Sequence, residues 1–262
     1  TKWLRDNLTQ WILESFAGVE LNALYAYARK VFISLPPEKG GRPYARMWYL
    51  PMVELIEYLK SKGFTVYIVS TAQQEIIRAV LTAQLNMDPA HIMGSMAAYD
   101  AGRKGKEVGT LTRVKKAWKP FCHGRGKVLR LRERVGRPPV FGVGNSTNDI
   151  AMLYYVSTSK YTSFNMVLNH DDPREKVYTK AKMLAIAAQE KWTIVSMKNH
   201  FKRVTGDLSF VKPAGYYTYR APAAPSRQEP HKGHLFWIAL AGIAILFAGA
   251  VVLVVLRRKS PC

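Results

Sequence analysis

The stretch VFGVGNSTNDIAML, residues 140–153, decides the fold class. Its first four residues form a continuous apolar run, which is typical of a strand buried on both faces of a sheet. A polar turn from Gly144 to Asp149 follows, and Ile150, Met152 and Leu153 are spaced as the apolar positions of a helix. A buried strand that passes through a short turn into a helix is the building unit of an α/β domain.

The same unit occurs earlier in the chain, at FTVYIVST, residues 64–71. This run predicts a second buried strand that ends at Ser70 and Thr71, and apolar residues from Ile76 to Leu85 predict the helix after it. Further strands are predicted at residues 164–168 and 192–197, and further helices at residues 126–136 and about 175–190. We therefore predict an α/β fold, with a Rossmann-like parallel sheet flanked by helices.

Polar side chains follow the predicted strands and begin the helices after them. They are Ser70 and Thr71 after one strand, Asn145 and Asp149 after another, and Lys127 near a helix start. Each is ordinary when taken alone, since a Ser-Thr pair after a strand is most often a helix N-cap. In open α/β sheets, however, ligands bind at the carboxyl ends of the strands. The order of these residues therefore predicts a ligand site at that edge.

Three segments together, residues 64–71, 126–127 and 140–153, resemble motifs II, III and IV of the haloacid dehalogenase superfamily. The likeness is to its acid phosphatase and phosphoserine phosphatase-like hydrolases and covers roughly residues 20–205. It implies Mg²⁺-dependent hydrolysis of a small phosphorylated substrate. Phosphoryl transfer needs cations and hydrogen-bond donors around the moving phosphate.

The resemblance also implies a role for each matched residue. Ser70 and Lys127 would be catalytic and would bind the phosphate together with Thr71. Asp149 and Asn145 would hold Mg²⁺, a cation that prefers oxygen ligands. After the next predicted strand, His170 and Asp171 would line the mouth of the substrate site.

The sequence contains no Asp-x-Asp segment, although the resemblance implies that such a segment carries the attacking carboxylate. We therefore expect a chain truncated at its N-terminus and inactive as it stands. One alternative is a catalytically dead, membrane-tethered protein that binds a phosphate ligand or anionic lipid. Another is a basic module that binds anionic lipid or nucleic acid through residues 103–137. The net charge of +21 favours polyanionic partners of all these kinds, but we expect no specific nucleic-acid site.

A long apolar run, residues 235–256, carries no charge. A bilayer core requires roughly 20 helical residues, so the run predicts one C-terminal transmembrane helix. Arg257, Arg258 and Lys259 follow it, which predicts a cytoplasmic C-terminus and an α/β domain outside the cytoplasm. The opposite, tail-anchored orientation stays open, because Arg227 and Lys232 precede the run. The lipid bilayer is thus a predicted partner. The predicted organisation is a helical cap remnant (residues 1–45), the α/β core (46–205), a Pro-rich linker (206–234), the membrane helix (235–256) and a basic tail (257–262).

Overall fold

A computed structural model of the chain describes residues 16–34, 41–102, 111–179, 181–208 and 252–257, the last of these by its backbone alone. The helices are α1 (Leu21–Ser34), α2 (Leu50–Ser61), α3 (Gln74–Leu85), α4 (Arg125–Val135), α5 (Ile150–Ser157), α6 (Ala181–Gln189) and the short α7 (Met197–His200). The strands are β1 (Trp48–Tyr49), β2 (Phe64–Gln73), β3 (Ile92–Asp100), β4 (Thr112–Trp118), β5 (Phe141–Gly144), β6 (Phe164–Asn169), β7 (Thr193–Ser196), β8 (Thr205–Gly206) and β9 (Val252–Arg257).

Within the described residues, seven strands form the main sheet in the order β4-β3-β2-β9-β5-β6-β7. The pairs β2–β3, β5–β6 and β6–β7 are parallel, whereas β3–β4 is antiparallel and β9 runs antiparallel to both its neighbours. The short strands β1 and β8 form a separate antiparallel pair. The predicted α/β fold is therefore confirmed, but the sheet is mixed rather than wholly parallel.

The strand β9 corrects the last residues of the predicted transmembrane helix, residues 235–256. Residues 235–251 lie outside the described part of the chain, but Val252–Arg257 form a strand between β2 and β5. In register, Val252 faces Val69, and Val254 faces both Tyr67 and Gly142. An uncharged run rich in valine suits a strand buried on both faces as well as it suits a helix, because valine favours the extended backbone. Among the described residues, no helix has both the length and the apolar character needed to cross a bilayer.

Helices cover both faces of the sheet because residues of β2 alternate between two apolar clusters. Ile68 belongs to the apolar cluster that also contains Ile77 of α3, Ile56 of α2 and Leu24 of α1. Its neighbour Val69 packs in the other cluster, which contains residues of α4, α5 and α6. The helix α1, which was assigned to a cap remnant, thus shares its core with β2.

The strands β3 and β4 pair with each other before α4, and residues 103–110 between them lie outside the described part. Lys115 and Lys116 are exposed on β4, at one edge of the sheet.

The candidate functional residues lie at the carboxyl ends of the parallel strands. The parallel strands β2 and β5 bring their carboxyl ends, and the residues that follow them, to one edge.

Candidate active site

A fully buried ion pair joins two of the predicted residues at this edge. The Lys127 ammonium donates to Asp149 Oδ1 at 2.6 Å and to the Val69 carbonyl oxygen at 3.2 Å, and neither charged side chain has any exposed surface. An ammonium group has three N–H donors. Among the described residues two of them have partners, which leaves the third for a ligand.

Two glycines allow this arrangement. A Cβ atom on Gly126 would lie 1.8 Å from the Phe121 carbonyl oxygen, so only glycine lets the chain before α4 approach closely enough to place Lys127. A Cβ atom on Gly144 would lie 2.6 Å from Asp149 Cβ. The end of β5 must therefore be glycine for Asp149 to fold back against it.

Both oxygens of the Asp149 carboxylate accept hydrogen bonds. Its Oδ1 accepts from Lys127, and its Oδ2 accepts from the backbone N–H groups of Asn145 and Ser146 at 3.0 and 2.9 Å and from Ser146 Oγ at 3.0 Å. Asp149 therefore holds Lys127 and shapes the turn after β5.

Ser70 lies on β2, directly after Val69, whose carbonyl oxygen accepts from Lys127. Its side chain is completely buried, and its Oγ accepts from the Ala72 N–H at 3.1 Å, so the hydroxyl hydrogen remains to be donated. Thr71 is half-buried, and its carbonyl accepts from Ser95 Oγ at 2.8 Å. The structure thus brings Ser70, Lys127 and Asp149 together, with Thr71 next in the chain.

Asn145 faces a second cluster of polar side chains, which follow β6. Its Nδ2 lies 2.8 Å from the Tyr178 hydroxyl and 3.1 Å from His170 Nε2. The Tyr178 hydroxyl also lies 2.8 Å from His170 Nε2, and His170 Nδ1 lies 2.6 Å from Glu175 Oε1. The Tyr49 hydroxyl donates to the other oxygen of Glu175.

The two tyrosines keep their protons in this cluster. Burial, and then the nearby negative charge of Glu175, raise the pKa of Tyr178 far above its ordinary value. Burial and the hydrogen bond to Glu175 do the same for the pKa of Tyr49. Both hydroxyls are therefore available as donors.

The two residues predicted at the substrate mouth have other positions. The side chain of His170 is fully buried within the cluster, so it does not line an open mouth. Asp171 accepts from Ser196 Oγ at 2.7 Å and from the Lys198 N–H at 3.1 Å, and so holds the start of α7. Burial alone would raise the pKa of Asp171, but these hydrogen bonds lower it below its ordinary value.

The sequence analysis assigned no role to Tyr178, Glu175 or Tyr49. Spacing offered a signal for the first two, because Glu175 and Tyr178 lie five and eight residues after His170 in a polar segment. Tyr49 lies far away in the sequence, at the start of α2, and no local pattern links it to that segment.

The residues present do not fit a magnesium site. Mg²⁺ is usually bound through one or two carboxylates together with waters and substrate phosphates. Asp149 accepts hydrogen bonds at both oxygens, one of them from the Lys127 ammonium, and Asn145 offers one neutral amide oxygen, so the described residues supply fewer ligands than the ion needs. In the part of the chain that the structure describes, no group of three or more His, Cys, Asp or Glu residues could hold a metal ion.

A comparison with protein families supports the predicted resemblance. The family model described as haloacid dehalogenase-like hydrolase matches residues 2–154, which is more than half of the chain. The match contains β2, Ser70, Lys127 and the turn from Asn145 to Asp149. No curated protein matches the chain.

Proposed function

Since the chain belongs to the haloacid dehalogenase-like hydrolases, we propose that it binds and hydrolyses a small phosphomonoester at the edge where Ser70 meets Lys127. The observation that carries this proposal is the buried Lys127 ammonium, which Asp149 fixes at 2.6 Å with one donor left for a ligand. A fixed, buried cation interacts with a phosphoryl group far more strongly than an exposed lysine does.

The roles of the residues follow from their contacts. Lys127 neutralises charge on the phosphoryl oxygens, and Ser70 donates its free hydroxyl hydrogen to one of them. Asp149 does not touch the substrate but orients Lys127. Enzymes of this family typically use Mg²⁺, but the described residues do not fit that ion, and we assign it no step.

Binding without turnover is the second candidate function. It is favoured by the absence of an Asp-x-Asp segment from the sequence, because covalent phosphoryl transfer needs a positioned nucleophile. In this case the protein would retain the phosphate site as a binding site for phosphorylated compounds.

One pair of measurements on the full chain separates these functions. Titration calorimetry with inorganic phosphate reports binding, and release of p-nitrophenol from p-nitrophenyl phosphate reports hydrolysis. We expect Lys127→Met to abolish hydrolysis and to weaken phosphate binding at least about tenfold, since charge-assisted hydrogen bonds to phosphate are among the stronger ones. The matched control is Lys182→Met, which removes an exposed lysine of α6.

The binding and hydrolysis measurements distinguish three outcomes. Binding with hydrolysis, both lost in Lys127→Met and kept in Lys182→Met, supports the hydrolase. Binding that depends on Lys127 without any hydrolysis supports the second function. If the wild-type chain does neither, or if Lys182→Met has the same effect as Lys127→Met, both proposals are wrong.

A further inference from the structure

With His170 in its neutral form, the hydrogen bonds of the cluster beside Asn145 run in one direction. The Glu175 carboxylate is an acceptor at both oxygens, and it receives Tyr49 O–H at one and His170 Nδ1–H at the other. A neutral imidazole that donates through Nδ1 accepts through Nε2. His170 Nε2 is therefore an acceptor that faces Tyr178 and Asn145.

The same reasoning fixes the amide of Asn145. Tyr178 donates its O–H to His170 Nε2 at 2.8 Å, so the phenol oxygen is left to accept from Asn145 Nδ2, also at 2.8 Å. We call Glu175, His170 and Tyr178 the orienting relay. Because the amide is planar, the relay turns Asn145 Oδ1 away from itself. Asn145 is only 7% exposed, and among the described residues its Oδ1 has no hydrogen-bond partner.

This unsatisfied acceptor belongs to a residue whose backbone binds the Lys127–Asp149 pair. The Asn145 backbone N–H shares the Asp149 carboxylate with Lys127, and Ser70 directly follows Val69, whose carbonyl oxygen also accepts from Lys127. A fully ionised oxyanion offers only acceptors and would leave Asn145 Oδ1 without a donor, which is unfavourable in a buried place. A phosphate group that keeps one proton offers the missing donor.

We propose that the orienting relay presents Asn145 Oδ1 to a protonated oxygen of the bound phosphoryl group. The site thereby selects hydrogen phosphate, and phosphomonoesters that carry a proton, over sulfate, which has no proton near neutral pH. This inference rests on the proposed phosphate binding at Lys127 and Ser70. It adds the acceptor that distinguishes two anions of similar size and shape.

The test compares phosphate with sulfate by titration calorimetry on the full chain near neutral pH, with EDTA present. We expect phosphate to bind at least about tenfold more tightly than sulfate, because a buried acceptor left unpaired costs about that factor in affinity. Asn145→Leu removes the acceptor and should reduce the preference to about threefold or less. The matched control is Asn165→Leu. Asn165 is 6% exposed, also has an unpaired Oδ1, and bonds through Nδ2 to Leu153 and Ser157 on α5.

A second set of variants tests the relay itself. Tyr178→Phe removes the group that holds Asn145 Nδ2, so the amide can turn its nitrogen toward the anion, and the preference for phosphate should fall. Adding Asn145→Asp to Tyr178→Phe should restore the preference, because either oxygen of a carboxylate accepts. A merely structural role of Tyr178 would not give this rescue.

Each result has one meaning. Equal affinities for phosphate and sulfate in the wild type overturn the selection and leave the phosphate site intact. Phosphate binding that disappears in EDTA and returns with Mg²⁺ overturns it as well, since Asn145 Oδ1 would then serve a metal ion. If neither anion binds, the proposed function fails together with this inference.

Discussion

Breaking the Lys127–Asp149 pair should destabilise the fold in an unequal way, depending on which partner is changed. Asp149→Asn keeps the size of the side chain but places an amide NH2 group, which is a donor, against the buried Lys127 ammonium. The ammonium then has only the Val69 carbonyl oxygen as an acceptor. Lys127→Met leaves the carboxylate with three other donors, from Asn145 and Ser146. Asp149→Asn should therefore destabilise the fold more than Lys127→Met, because the buried ammonium keeps fewer hydrogen-bond partners than the buried carboxylate does.

The structure sets the magnitudes. Both side chains are fully buried, and removing one partner of a buried pair costs about 3–5 kcal/mol, so we expect that loss for Asp149→Asn. For Lys127→Met we expect about 1–3 kcal/mol, since the remaining carboxylate stays hydrogen-bonded. The double variant leaves no isolated charge. Its loss should be smaller than the sum of the single losses by about 2 kcal/mol, which is within the usual coupling of contacting residues.

The assay is urea unfolding of the full chain, followed by tryptophan fluorescence and circular dichroism at one fixed pH. The slope against urea should stay constant, so that midpoints report stability. Lys182→Met serves as the surface control, with a change within about 0.5 kcal/mol. Additive losses in the double variant, or a larger loss in Lys127→Met than in Asp149→Asn, would refute this reasoning.

Three further predictions concern other parts of the molecule. Val254→Pro should lower the free energy of unfolding by about 3 kcal/mol or more, since proline removes a backbone N–H from a strand paired on both sides. Thermal melting of the α/β domain checks this. If residues 235–256 instead span a bilayer, as the sequence predicted, the melting temperature of that domain will not change. Gly126→Ala should lower the melting temperature measured by calorimetry, because its Cβ would meet the Phe121 carbonyl; an unchanged melting temperature would contradict this close approach. Burial raises the pKa of Cys122 to about 11, so the unfolded thiol ionises first and the free energy of unfolding should fall as pH rises toward that value. Cys122→Ala, studied in a Cys262→Ser background, should make this fall shallower in urea titrations at several pH values; an equally steep fall would exclude Cys122 as its source.

The convergence of Ser70, Lys127 and Asp149 could be predicted because it depends on local signals. Two apolar runs gave the buried strands, and the ends of parallel strands meet at one edge. The role of Asp149 could not be predicted in the same way. A carboxylate after a strand serves a metal or a lysine equally well, and only the distances show that its oxygens are occupied.

Two other features depend on contacts that sequence patterns do not report. The hydrogen bonds of Asn145 require the segment after β6 to return to the end of β5, which places Tyr178 beside a residue 33 positions earlier in the chain. The strand β9 was missed because apolar periodicity does not separate a buried strand from a buried helix. The run VVLVVL at residues 251–256 held a usable signal, since β-branched residues favour strands.

The central position of β9 also governs when the sheet can be completed. On one side of β9 lie β4, β3 and β2, and on the other lie β5, β6 and β7, so β9 joins the two halves although it comes last of all these strands in the chain. During translation the first strands emerge long before Val252–Arg257 are synthesised, and contacts so distant in sequence form slowly. Until then, β2 and β5 present unpaired backbone edges, which is the condition that invites aggregation. A nascent chain of this protein should therefore depend on chaperones more than a chain whose central strand is made first.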